Sequence, residues 1–191
     1  MAIQFTREEQ ELLLSTARAI IKAKLNNKTF TEPAMEDLPP RLREKGACFV
    51  TLTKKGNLRG CVGSIAAIQP LMKDVQDRAL AAAFQDYRFP PLSATELDEI
   101  QIEISCLTSP TKLEYQKPED LSKLIRPDID GVILSYQTRR ATFLPQVWEK
   151  LSSPELFLDR LCQKMGFDQS LWRREILSVE TYQVEKIREV V

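Results

Sequence analysis

ACFVTLTKKGNLRGCVGSI, residues 47–65, has the pattern of two strands joined by a tight turn. Ala47 to Thr53 alternates, Lys54-Lys55-Gly56-Asn57 supplies turn chemistry, and Leu58 to Ile65 returns. Upstream, Thr6 and Glu9 fit a capping box. Leu13, Ala17, Ile20, Ile21 and Leu25 follow as an apolar stripe, predicting an amphipathic helix over 7–25 that stops at Asn26-Asn27. Residues 29–46, TFTEPAMEDLPPRLREKG, are proline-bearing and aperiodic and predict a surface excursion. Downstream, Pro70 opens a helix whose inner face is Leu71, Val75, Ala79, Ala82 and Ala83, narrow enough to pack closely on a sheet. Asp86-Tyr87-Arg88-Phe89-Pro90-Pro91 ends it, because prolines cannot continue a helix. Ile100, Ile102, Ile104 and Cys106 then alternate with Gln101, Glu103 and Ser105 as a strand.

The second half repeats the grammar. Gly131 to Tyr136 and Arg140 to Leu144 predict a hairpin around 137–139, and Pro145 begins a short helix. Pro154 opens another, carrying Leu158, Leu161, Cys162 and Met165 and stopping at Gly166. Residues 176–191 alternate as one final strand. The expected class is α+β, mainly antiparallel sheet with flanking helices, in two lobes with a cleft between them. Within a single domain over 1–191, the inner lobe is expected at about 47–108. Residues 1–46 and 109–191 would form a second, discontinuous lobe.

Composition narrows the chemistry. The 191 residues contain no histidine, so a Ser-His-Asp triad, a Cys-His dyad and a histidine-ligated metal site are excluded within this chain. Lys+Arg and Asp+Glu each number 27, which leaves no electrostatic footprint for indiscriminate binding to nucleic acid while allowing a local basic patch. Aromatics make up 7% and are not interleaved with basic residues, so no stacking platform is predicted. The start lacks an apolar leader, and no run approaches the roughly 20 apolar residues of a membrane span. Four scattered cysteines without a CxxC pair predict a reduced, cytoplasmic protein with no transition metal and no cofactor. Asp128, Asp130 and Gly131 do not meet the spacing of a calcium loop.

Periodicity places Cys48, Cys106 and Cys162 on apolar faces, where free cysteine serves as a small buried hydrophobe. Cys61 is different. It lies between Gly60 and Gly63 and, in an extended segment, shares a face with Arg59 and Gly63. An adjacent guanidinium favours thiolate, and a missing side chain at Gly63 leaves room for a ligand or another backbone. The bland alternative is that the glycines permit a tight crossing and Cys61 fills a gap. An anion nest of backbone N–H groups over 59–64 is a further reading. Asp86 and Arg88 either line a site or tie the Pro90-Pro91 loop to the sheet.

LRGCVGSI, PLMKDVQDRALAAAFQDYRFPPL, ELDEIQIEISCLTSP and DGVILSYQTRRATFLPQVWE together resemble one family. It is the family of the candidate protein from the Alport, intellectual disability, midface hypoplasia and elliptocytosis (AMME) deletion syndrome. Its prokaryotic members are called AmmeMemoRadiSam system protein A. The family pattern matches at Leu58, Arg59, Gly60, Cys61 and Gly63, at Asp86, Arg88, Phe89 and Pro90, at Asp130-Gly131, and at Leu144-Pro145-Gln146-Val147. Val62 stands where the family commonly has isoleucine. The resemblance implies two tightly associated α/β lobes with the RGC segment near their junction. It also implies a pathway shared with a Memo-like protein and a radical SAM protein. It supplies no settled reaction.

The leading expectation is an accessory enzyme or partner subunit using Cys61 as nucleophile or thiol donor. Arg59 would lower its pKa or bind an anion, and Gly60, Gly63, Asp86, Arg88 and Gln146 would line the cleft. The rival is a non-catalytic interaction or regulatory module, and a third reading is an RNA-associated factor.

Overall fold

The computed structural model describes residues 5–189. In chain order the helices are α1 (Arg7–Leu25), α2 (Pro40–Arg43), α3 (Leu71–Phe84), α4 (Leu121–Leu124) and α5 (Pro154–Met165). The first strands are β1 (Lys45–Lys54), β2 (Asn57–Gly63), β3 (Gln69–Pro70), β4 (Ile100–Leu107) and β5 (Thr111–Lys112). β6 (Gly131–Tyr136), β7 (Arg139–Phe143), β8 (Ser178–Tyr182) and β9 (Val184–Arg188) follow. The class is α+β. Two sheets form, one ordered β2-β1-β4-β9 with β3 pairing β1, the other ordered β5-β8-β6-β7. The chain divides into one unit of residues 5–107 and 185–189 and another of Thr108–Val184.

In the first unit the hairpin forms as its sequence requires. Lys55 and Gly56, at φ 51° and 78°, make a two-residue turn of the kind that matches strand twist. The Thr6–Glu9 capping box closes reciprocally, at 3.2 and 2.8 Å, and starts α1. Leu13, Ala17 and Ile21 of α1 share a core with Val75 and Ala79 of α3 and Val50, Leu52, Ile102 and Ile104 of the sheet. That common core is why residues 5–46 group with the hairpin and not, as expected, with the chain after 109. The excursion at 29–46 is also more ordered than its prolines suggest. It forms α2 and buries Leu38 and Leu42.

The second unit has its own core. Ser153 caps α5 through the Leu156 N–H, and Gly166 at φ 89° ends the helix in the left-handed region. Trp148 stacks on Phe157 at 3.7 Å between centroids, against Val132, Leu134, Leu161 and Cys162. The Trp148 indole N–H donates to the Asp130 carbonyl, and the Asp130 carboxylate accepts from Arg126. A side chain at Gly131 would strike the Tyr182 ring, its register partner. Asp130-Gly131 is therefore explained by packing.

The predicted single strand over 176–191 is two. β8 pairs with β5 and β6, the chain breaks at Gln183, and β9 joins the other sheet beside β4. Alternation continues across the break, so the pattern carries no sign of the change of sheet. Residues 190–191 of that prediction lie outside the described residues. Among those described, no helix is long and apolar enough to cross a membrane.

Candidate functional site

β2 is an edge strand, and its geometry departs from plain alternation. Leu52 pairs with Gly60 while Thr53 pairs with Leu58, leaving Arg59 as the extra residue of a β-bulge. The bulge shifts the side-chain period by one, so Arg59 does not share a face with Cys61 as a regular strand would have it. Arg59 is 8% exposed and spends its guanidinium on Glu96, through Nε to Oε1 at 2.9 Å and a terminal nitrogen to Oε2 at 3.0 Å. That pair holds the Glu96 carboxyl well below the usual carboxylate range and raises Arg59. Ser93 adds to the effect by donating from its backbone and its hydroxyl to Glu96.

Both glycines flanking Cys61 are demanded by packing. A Cβ at Gly60 would lie 2.2 Å from the Ala82 carbonyl oxygen of α3. One at Gly63 would lie 2.2 Å from the Phe49 ring and 2.5 Å from the Cys48 carbonyl oxygen. The space expected at Gly63 for a ligand is filled by Phe49. The anion-nest reading meets the same outcome, because the Cys61 N–H donates to Asp86 Oδ2 at 2.9 Å and the Ser64 N–H to the Cys48 carbonyl.

Cys61 is half-buried and opposite Thr51, whose hydroxyl donates to Sγ at 3.3 Å. Among the described residues no hydrogen bond or ion pair joins a charged side chain to that sulfur. Asp86 and Arg88 instead grip the backbone of Cys61 from outside the sheet. Asp86 accepts its N–H, and Arg88 donates to its carbonyl at 3.2 Å while holding Asp86 Oδ2 at 2.7 Å. The couple occupies the hydrogen-bonding positions of a neighbouring strand and blunts the edge of the sheet. The Arg88 guanidinium, then the Cys61 and Arg88 N–H groups, depress the Asp86 carboxyl against a desolvation that raises it.

Between these two anchors stands Tyr87, 95% exposed. The sequence points to it only weakly, as an aromatic framed by an ion pair before Pro-Pro. Glu96 and Asp74 were also not singled out by pattern. Asp74 is fully buried on α3 and accepts from the Cys48 N–H, the Gln69 amide and Arg78. Gln146 lies in the second unit, in a 3₁₀ turn, where its Oε1 is buried without a hydrogen-bond partner. A depression of about 1200 Å³ borders α1, Lys55, Gly56 and Gln101 and contains none of the residues nominated from sequence. Its charged lining is balanced in sign. Among the described residues no three acidic, cysteine or histidine side chains converge to hold a metal.

The comparisons agree on one relationship. A protein of Methanothermobacter thermautotrophicus is 40% identical over 163 residues, covering 84% of each chain. One of Thermofilum pendens is 36% identical over 95% of this chain and 90% of its own. The crystal structure of an uncharacterized protein from Pyrococcus horikoshii aligns with a TM-score of 0.86 at 33% identity, over 98% of this chain and 94% of that one. The AMMECR1 family model matches residues 14–187, a span that includes the bulge, the Asp86–Arg88 grip and the cores of both units, and the chain belongs to the AMMECR1 family.

Proposed function

We propose that the chain is a binding subunit that offers Tyr87, on the turn that covers the edge of β2, to a protein partner, and is not a thiol enzyme. The observation that carries this reading is that the charged groups around Cys61 are already spent inside the protein. Arg59 is committed to Glu96, Asp86 to the Cys61 N–H, and Arg88 to Asp86 and the Cys61 carbonyl. A nucleophilic cysteine needs an activating base or cation in reach of its sulfur. Here Sγ accepts from the Thr51 hydroxyl, and the Arg88 guanidinium, whose charge reaches Cys61, is paired with Asp86. Tyr87 is the contrary case, a large apolar ring held in water on a turn fixed at both ends. A preorganised aromatic anchor loses little freedom on docking, and such residues dominate binding energy at interfaces.

The family resemblance implies the partner classes to test, a Memo-like protein and a radical SAM protein. The full-length chain is titrated with each. Tyr87→Ala is expected to weaken binding about tenfold or more, as for an interface hot spot, with an unchanged melting temperature. Cys61→Ser is expected to leave binding and any joint product intact. Binding untouched by Tyr87→Ala moves the interface elsewhere. Loss of product in Cys61→Ser with binding preserved returns the function to the thiol.

A further inference from the structure

Cys48 in β1 lies directly opposite Cys106 in β4, and both side chains enter the same core at 0% and 1% exposure. In an antiparallel ladder, opposed residues alternate between pairs that exchange both backbone hydrogen bonds and pairs that exchange none. The second kind brings its Cα atoms to about 4.5 Å and its side chains closest. Cys48 spends its backbone on the side away from β4. Its N–H donates to Asp74 Oδ2 at 2.9 Å and its carbonyl accepts from the Ser64 N–H at 3.1 Å. It has neither group left for β4, so Cys48 and Cys106 form a pair of the second kind. That separation falls inside the window of roughly 4.4–6.8 Å over which a disulfide joins two Cα positions. Both thiols are free.

We propose that Cys48 and Cys106 are a redox modification site, closing to a cross-strand disulfide under a small two-electron thiol oxidant of the azo class. Two S–H bonds break, one S–S bond forms, and the azo N=N takes both hydrogens to become a hydrazine. The bond ties β1 to β4 and closes a loop containing β2, α3 and the 86–91 turn, so Arg59, Cys61, Asp86 and Arg88 all fall within it. The Cys48 S–H also ceases to donate to Asp74, now 3.4 Å away. Burial pushes the Cys106 thiol up to about 12 and raises Cys48 as well. Closure therefore waits on local opening and runs more slowly than modification of half-buried Cys61. Cys61 pairs with Thr51, one residue out of phase with the Cys48 face, and takes no part.

The native full-length chain is treated with diamide, acid-quenched, unfolded, alkylated and digested without reductant. The expected result is a peptide linked through Cys48 and Cys106, loss of both alkylation sites, their return on reduction, and a higher melting temperature from loop closure. The link persists in Cys61→Ser and disappears in Cys48→Ser. Should Cys48→Ser not fold, the wild-type peptide map alone decides. Full alkylation of Cys48 and Cys106 after treatment, linkage only to Cys61, or linkage only in denaturant each overturns the proposal.

Discussion

Asp86 accepts four hydrogen bonds on one carboxylate, two from the Arg88 side chain and one each from the Cys61 and Arg88 N–H groups. Its depressed pKa makes a statement about acid stability. A carboxyl depressed in the folded state stabilises the protein above its unfolded pKa, near 4, and that contribution drains as pH falls below that value. Glu96 adds in the same direction. Asp86→Asn is expected to cost roughly 1–3 kcal/mol at pH 7, as when a buried charged acceptor is lost, toward the low end because Arg88 is half-exposed and screened. The deficit should begin to shrink at pH 3, where the wild type has started to lose the same contribution, and it closes only at lower pH, once the folded-state carboxyl itself takes up a proton. Urea titrations at both pH values test this, and equal stability at pH 7 would reduce the couple to a surface pair. The Asp-Tyr-Arg spacing was visible in the chain, but its target was not. The contact spans 25 residues and ends on backbone atoms, which leave no mark in a sequence.

At the scale of elements, the alanine face of α3 and the glycine of β2 are one feature. Ala82 brings the helix backbone so near the strand that any Cβ at position 60 meets its carbonyl oxygen. Gly60→Ala should therefore force α3 or β2 to move, costing about 1–3 kcal/mol or more by overpacking, read as a lowered midpoint in thermal or denaturant unfolding. An unchanged midpoint would mean the helix slides freely on the strand. The periodicity of α1, α3, α5 and β4 was readable because each buries one face at a fixed repeat. Three things escaped it for physical reasons. The bulge at Arg59 breaks the repeat with no special residue to announce it. Asp74 sits where a helix would show a solvated face, yet it is buried because β1 has an N–H to satisfy there. Gln183 interrupts a pattern that continues unbroken on either side.

At the scale of the molecule, the chain leaves the first unit after Leu107 and returns at Glu185, so Thr108–Val184, which takes in the first residue of β9, is inserted between β4 and the rest of β9, neighbours in one sheet. Thr108 and Gln183 close the ends of the insertion with reciprocal bonds of 2.9 and 2.8 Å. Each unit buries its own apolar cluster, one around Val50, Val75 and Ile104, the other around Trp148, Phe157 and Leu161. Among the described residues, none belongs to both. Hydrophobic stabilisation follows the area each cluster removes from water, so damage to one core acts first on the elements packed against it. Phe157, fully buried and stacked on Trp148, is the most direct probe. Phe157→Ala is expected to cost about 3–5 kcal/mol. Hydrogen exchange should then rise in β6, β7 and α5 while β1 and β4 keep their protection. Equal loss in both sheets would mean that the two cores unfold as one cooperative body, and that the insertion contributes to holding the strand that carries Cys61.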